Sequence, residues 1–519
     1  MSLHSDDVAA PVVADVPPVR AGARAWAALA VLMLPVLLVS VDNTVLGLAL
    51  PAIASDLHPS ATEQLWMMDI YPLVLAALLL VMGSVADRIG RRRMLLLGAT
   101  GFAAVSAAAA FAPSAAWLIA ARGGMGIFGA MLMPATLALL RSLFLDDAQR
   151  RLAIAVWTAT FSAGAALGPL LGGILLSAFG WGSVFLMAVP VLVPLLGLAL
   201  WLIPESKNPS PGRVDALSVV LSVLAMGPVV LAIKEVAVHG LGLLPLTMAV
   251  AGVVAGIVFV RRQRALAARP DRGAMLDVGL FRIPGFRYSV LVNLISMTAM
   301  VGFLFVASQH LQLVLQLSPL QAAVVLLPGG VVAMGAGFAA VRLVRRFTAR
   351  SAISVALLVS AVGYGVVAFI GADVPAAALG AGFVLLGIGV GVAETLSHDL
   401  IIASAPPARA GAASAVSETA YEVGAVLGTA VLGGLVTMLY RSHLVLPTSL
   451  SREASEAAGG SLAGALDEAD QLPIALGETL AEGARAAFES GVGITTGVGA
   501  LLMVAAALVA WGGLRPRGR

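Results

Sequence analysis

Five carboxylates stand inside long apolar runs of this 519-residue chain and are its first candidates for chemistry: Asp42, Asp69, Glu394, Glu418 and Glu422. A charge carried into hydrocarbon costs on the order of a few kcal/mol, so each such acid must face a cavity, find a partner or carry a proton. Glu418 and Glu422 are four residues apart and share one helix face. Crowded carboxylates in a low-dielectric site set a proton and a cation in competition, because either one neutralises them. Asp69 is the first choice for a proton-linked acid and Asp42 the second, with Glu418, Glu422 and Glu394 as cation-binding acids. His398 and Asp399, near the end of the Glu394 run, are expected to serve structure.

Two cations also fall within apolar runs, Arg122 and Lys234. Arginine keeps its proton, so Arg122 needs a carboxylate or several carbonyls, and its natural role is to tune a neighbouring acid. Trp66, Tyr71, Trp157, Phe161 and Tyr421 offer ring faces that attract cations, although Trp66 equally suits an interfacial anchor. Other chemistry finds no footing. There is no cysteine, no glycine loop ending in Gly-Lys-Ser/Thr, and the six histidines lack ligand spacing to one another. An enzyme, a metal site, a cofactor and a nucleic-acid partner are not expected.

The elements that hold these residues follow from composition. Residues are 60% apolar and 11% charged, and the mean hydropathy is +0.99. Apolar runs of about twenty residues recur, each long enough to cross a hydrocarbon core of about 30 Å. They lack period-two alternation, which leaves a helical bundle rather than a barrel. The runs predict an all-α polytopic membrane protein with fourteen transmembrane helices at 26–50, 62–86, 94–112, 115–141, 150–178, 182–203, 214–237, 241–260, 286–316, 319–343, 352–371, 374–404, 409–438 and 490–512. At 1.5 Å per residue Asp42 lies about 24 Å from the cytoplasmic side and Asp69 about 10 Å from the outside. Glu418 and Glu422 lie about 14 and 20 Å in from Arg409.

With both termini in the cytoplasm, 26 of the 31 lysines and arginines fall inside, which satisfies the positive-inside rule. The sequence Gly83-Ser-Val-Ala-Asp87-Arg88-Ile-Gly90-Arg91-Arg92 reappears as Gly337-Phe-Ala-Ala-Val-Arg342-Leu-Val-Arg345-Arg346. Copies after the second and tenth helices predict two six-helix bundles, 26–203 and 286–512, with an inserted helix pair and linkers over 204–285. Residues 1–25 read as a disordered cytoplasmic tail and 513–519 as a second tail. Between the last two helices, 440–489 carries eight acids against three bases. Helical spacing around Ala463 to Leu472 and Leu476 to Phe488 suits an amphipathic hairpin over the outer mouth, with a disordered loop as the competing reading.

Four motifs carry a resemblance. Gly83 to Arg93 is similar to the loop signature of the major facilitator superfamily. Gly164, Gly168, Pro169, Gly172 and Gly173 resemble its antiporter motif, which is characteristic of exporters, and Arg122-Gly-Gly-Met-Gly126 its intramembrane arginine motif. Asp42-Asn-Thr-Val is similar to the drug-exporter signature. Leu65-Trp66-Met-Met-Asp69-Ile-Tyr71, Pro204-Glu205-Ser206-Lys207 and Ser417-Glu418-Thr-Ala-Tyr421-Glu422 resemble the fourteen-helix drug:proton antiporters, the staphylococcal-type quaternary-ammonium exporters and their mycobacterial and enterobacterial relatives. The resemblance covers nearly everything after residue 25 and implies a monomeric, proton-coupled exporter of lipophilic cationic drugs in the bacterial cytoplasmic membrane. An exporter of an endogenous product, such as an antibiotic, amino-acid derivative or lipid, shares the fold but would leave the excess acids unexplained. Asp87 suits an ion pair with Arg88 and Arg91 closing the cytoplasmic side, with Gly83 and Gly90 in the same gating motif. The helix-five glycines permit close helix contact, and Pro169 removes a backbone donor.

Overall fold

The computed structural model describes residues 21–207, 215–268, 276, 278–371, 374–405, 410–447 and 450–514. The expected tails therefore lie largely outside the described residues. Among the described residues every regular element is helical. The first seven helices are α1 (Ala23–Leu57), α2 (Ala61–Ile89), α3 (Arg91–Ala110), α4 (Ala115–Leu143), α5 (Asp147–Phe179), α6 (Gly182–Leu186) and α7 (Ala188–Leu202). Then come α8 (Ala216–His239), α9 (Leu243–Ala267), α10 (Pro284–Gln309), α11 (Pro319–Leu343), α12 (Ala349–Ile370) and α13 (Ala376–Ser404). The chain ends with α14 (Ala410–Leu427), α15 (Gly434–His443), α16 (Arg452–Gly460), α17 (Leu462–Gln471) and α18 (Ile474–Gly513).

Thirteen helical stretches among the described residues are long and apolar enough to span hydrocarbon, and a pair within α2, bent by 52°, makes a fourteenth. Polar side chains set the starts. Ser60 and Glu63 form a capping box on α2, and Ser318 and Gln321 form another on α11. Three spans differ from the expected single helices. The 182–203 run breaks at Met187 into α6 and α7, and the runs over 286–316 and 409–438 contain wider π turns at His310–Val314 and Gly428–Gly433.

The hairpin expected over 440–489 is half corrected. The acidic stretch supplies the short helices α16 and α17, but Leu476 to Phe488 is no separate arm. It opens α18, which runs unbroken for 40 residues from its N-cap, Pro473. No proline follows to interrupt it, and its buried face stays apolar through Leu480, Ala484 and Phe488.

Helix packing repeats itself. α2 packs on α4 as α11 packs on α13, α1 on α5 as α10 on α14, and α3 on α4 and α7 as α12 on α13 and α18. Contacts between these groups are reciprocal, α2 against α14 and α5 against α11. The pair α8 and α9 lies outside that pattern: the two pack on each other, and α8 packs against α2 and α15. α9 turns Val250, Val253, Val254 and Ile257 outward, as a lipid-facing helix does.

Candidate functional site

The glycines of α5 bring α1 into place. A Cβ on Gly164 would sit 2.8 Å from Ser40 Cβ and 2.9 Å from the Leu37 carbonyl oxygen, and one on Gly172 2.5 Å from Val45. Gly168 meets Thr44 still more closely, and Gly173 faces α11 at Pro319, Leu320 and Ala323. Ser40 donates to the Phe161 carbonyl across the same seam. Pro169 lies within this helix, where its missing donor leaves one carbonyl free of the helical ladder.

The seam holds Asp42 toward α4. Arg122 Nη1 donates to Asp42 Oδ2 at 2.7 Å, with both side chains buried, and Arg122 Nε donates to the Met67 carbonyl at 3.2 Å. The guanidinium lies 4.7 Å from the Tyr71 ring centroid. Gly126 and Gly129 permit this approach, since side chains there would meet Tyr71. Tyr71 is fully buried and its ring packs edge-on against Phe102. Its ring face is thus turned to Arg122.

A second buried pair joins α2 to α8. Lys234 Nζ stands 3.1 Å from Asp69 Oδ2, with side-chain exposures of 0% and 1%, and 4.0 Å from the Trp66 ring centroid. Trp66 therefore holds an internal ammonium instead of anchoring an interface. Asp69, Arg122, Asn43, Met68, Val301 and Thr429 line one small cavity of about 20 Å³, room for a single water. Thr429 arrives on the π turn that follows α14, and such local widenings recur at functional sites.

The third buried acid, Glu422, has no cation beside it among the described residues. Asn43 Nδ2 donates to Glu422 Oε1 at 3.2 Å, while Glu422 Oε2 is buried without a hydrogen-bond partner. Around Glu422 the aromatic candidates form a row from α5 to α14. Trp157 and Phe161 stack at 6.2 Å, Phe161 meets Tyr421 edge-on at 5.5 Å, and Trp157 Nε1 donates to Thr136 Oγ1. Tyr421 lies in the fields of Glu394 and Glu422, and Glu418 in that of Arg141. Glu394 and Glu418 are half-buried, whereas Glu422 is buried. His398 bonds Ser417 Oγ at 2.9 Å, and Asp399 is exposed.

One end of the bundle is laced across the two groups of spans. Ser308 Oγ donates to the Gly47 carbonyl at 2.7 Å, and Gln312 Nε2 to the Leu48 carbonyl at 3.0 Å. Above them Gln64 Nε2 bonds Ser461 Oγ at 3.0 Å, and the Tyr440 hydroxyl bonds the Ala458 carbonyl at 2.7 Å. This is the end that carries α16 and α17.

At the arginine-rich end Asp87 pairs with Arg91 at 2.9 Å, as expected, but Arg88 lies exposed and is not brought to Asp87. One helical turn separates Asp87 from Arg91, whereas the residue immediately following points elsewhere on the helix. Gly83 packs beside Pro134. Glu205 is the residue that sequence reasoning quoted without a role. Its carboxylate accepts from the backbone of Arg92 at 3.0 Å and Arg93 at 3.3 Å, capping the start of α3. Gly90, at φ +110°, leaves the space: a Cβ there would fall 2.7 Å from that carboxylate. Ser206 completes the joint with its carbonyl accepting from Arg91 N at 2.9 Å. Lys234 was visible as an intramembrane cation and Asn43 within a motif, yet neither spacing nor periodicity links positions so far apart in sequence.

The described residues contain no grouping of His, Cys, Asp or Glu able to hold a metal ion. The sequence profile of the Major Facilitator Superfamily matches residues 32–429. The chain is 52% identical over 490 residues to the multidrug efflux pump LfrA of Mycolicibacterium smegmatis, covering 94% of this chain and 96% of that protein. It is 36% identical to the methyl viologen resistance protein SmvA of Salmonella typhimurium, over 90% and 93% of the two chains. It is 32% identical to a tetracenomycin C resistance and export protein of Streptomyces glaucescens, over 93% and 91%. Among solved structures, a bacterial homologue of the lysosomal transporter Spinster, inward-facing and unoccupied, superposes with a TM-score of 0.62 at 19% identity, over 96% and 99% of the chains. Thirteen apolar spans and a bent fourteenth among the described residues, a repeated helix arrangement around buried charges, and matches along nearly the whole chain lead to one conclusion: this protein belongs to the Major Facilitator Superfamily of membrane transporters.

Proposed function

We propose that the chain exports lipophilic cations across the bacterial cytoplasmic membrane in exchange for protons, with both termini in the cytoplasm. The observation that carries the reading is the charge balance at the centre. Three carboxylates are buried together; Asp42 has Arg122 and Asp69 has Lys234, but Glu422 has only the amide of Asn43. A buried carboxylate without a cation must take a proton or a cationic guest. The row Trp157, Phe161 and Tyr421 beside it offers the ring faces that such a guest prefers.

In this mechanism a cation enters from the arginine-rich, cytoplasmic end, passes Glu418 and Glu394, and neutralises Glu422. The laced end is the closed outer gate. The two groups of spans then rock about the glycine seams of α5, the outer bonds of Ser308 and Gln312 part, and a proton from outside replaces the cation. Asp69 and Asp42 are the proton-linked acids, each held ready by its in-chain cation, and the Asp87–Arg91 and Glu205 contacts brace the cytoplasmic gate. The protein works as a monomer. The efflux and resistance functions named for the two most similar relatives described above support drug export.

A second reading, export of one endogenous product, has one observation behind it: the relative named as a tetracenomycin C resistance and export protein covers this chain almost as fully. Tetraphenylphosphonium transport in proteoliposomes under an imposed pH gradient separates the two. Uphill movement of the cation against proton flow, lost in Glu422→Gln and uncoupled in Asp69→Asn, supports cation–proton exchange. Absence of any cation movement by the native chain refutes it in favour of the dedicated exporter.

A further inference from the structure

The fully buried ammonium of Lys234 has one acid and one ring around it, and these are the parts of a site for an alkylammonium ion. Asp69 Oδ2 supplies the charge at 3.1 Å and the Trp66 indole a face at 4.0 Å. Both belong to α2, three residues apart and therefore on one face of that helix. The lysine comes from elsewhere: α8 stands outside the packing pattern that the other twelve spans repeat. Its approach is built. Ser222 Oγ of α8 donates to the Ala77 carbonyl of α2 at 3.2 Å, and Val230 packs in an apolar cluster with Leu73, Val426 and Ala430, joined by Trp66. The site thus lies where α8 crosses both α2 and the segment leading out of α14.

We infer that Lys234 is an intramolecular ligand filling an alkylammonium site made by Asp69 and Trp66, so that the inserted helix pair, rather than the exported compound, neutralises Asp69 in this conformation. The site itself would take a small primary ammonium ion once the lysine is removed. Occupation by a tethered cation reserves Asp69 for protons, because a drug cation at Glu422 cannot reach a carboxylate already paired. A proton on Asp69, whose other polar neighbours are Arg122, Asn43 and Thr429, leaves the Lys234 charge without its partner, and the strain is relieved by loss of the lysine proton or by displacement of α8 from α2. The inserted pair thereby becomes sensitive to the charge state of one buried acid.

Binding tests this on the purified chain in nanodiscs, with no gradient, so its outcome stands apart from that of the export reading. Lys234→Ala removes three methylenes and the ammonium, and n-propylammonium restores those groups. At fixed ionic strength the melting temperature of Lys234→Ala is expected to fall and to recover with n-propylammonium but not with 1-propanol, while the native chain responds to neither. Adding Trp66→Leu should weaken n-propylammonium binding about thirtyfold, the size of a desolvated cation–ring contact. Adding Asp69→Asn should abolish it. Recovery with 1-propanol, no recovery with n-propylammonium, or recovery that survives Asp69→Asn overturns the inference. Lys234→Met keeps the stem and folds without opening a hole. It should be less stable than native and regain stability when Asp69→Asn removes the unpaired carboxylate; a double variant no more stable than the single one also overturns the inference.

Discussion

Glu422→Gln is the perturbation that bears most directly on the centre of the molecule. The amide keeps the shape of the side chain and an oxygen for the Asn43 donor 3.2 Å away, so packing is preserved while the uncompensated charge disappears. A cation about 4 Å from a carboxylate gains about 4 kcal/mol at an effective dielectric of about 20. Desolvation of the guest returns about half of that, leaving about 2 kcal/mol, or about thirtyfold in affinity. The assay is equilibrium binding of labelled tetraphenylphosphonium to purified protein between pH 6 and 8.5. Under the proposed exchange protons and cation compete for this carboxylate, so affinity in the native chain should rise with pH. In Glu422→Gln it should be about thirtyfold weaker at the alkaline end and nearly flat. Affinity and pH slope both equal to native would refute the assignment of Glu422, whatever the transport assay showed.

Other expectations follow from the same geometry. Arg122→Ala leaves Asp42 buried and uncompensated and should cost about 3–5 kcal/mol, read as a lowered melting temperature in nanodiscs, with Asp42→Asn partly restoring it. Gly164→Val places a side chain against the Leu37 carbonyl and Ser40 and should stop transport by prising α1 from α5, whereas Gly197→Ala, with nothing within 4 Å, should be silent in both folding and transport. Asp215, just before α8, receives two bonds from Arg262 at 2.6 and 2.8 Å, which hold its carboxyl down from 3.8 to about 2. The depressed value means that its stabilisation is complete above about pH 4 and is lost as pH falls through about 2. The melting-temperature difference between native and Asp215→Asn should accordingly be flat from pH 8 to 5 and shrink only below that ordinary range.

Much of this architecture could be read from residue types because hydrocarbon is an unforgiving solvent. Apolar length fixed the spans, and the sequence limits of α4, α11 and α13 fall within a few residues of the observed helices. Where the chain departs from expectation, the cause lies between helices rather than along them. The π turns at His310 and Gly428 are consistent with tertiary crowding, which no periodicity encodes, and α18 extends because nothing in its sequence ends a helix. The candidate site divides in the same way. Buried acids announce themselves by being expensive, so Asp42, Asp69 and Glu422 could be named from sequence alone. Their partners could not: Lys234 lies 165 positions from Asp69, and Asn43 meets Glu422 across 379. Tyr71 and Trp66 looked alike as aromatic neighbours of Asp69 but face different cations, Arg122 and Lys234.

The 40 residues of α18 make a rod of about 60 Å, twice the thickness of a bilayer core. Its opening turns pack on α17, where Gly477 lies against Ala469, and Arg485 donates to the Leu313 carbonyl at the edge of the first π turn. Such a rod is a lever: a tilt of about 10° about its midpoint moves its end by about 5 Å, taking the length from the helical rise. Under the rocking cycle proposed above, that displacement would carry the motion to the end of the rod, away from the buried charges. A spin label on its exposed residues, such as Glu478 or Glu482, tests that motion directly, and a molecule that clamped the rod there should slow the proposed cycle.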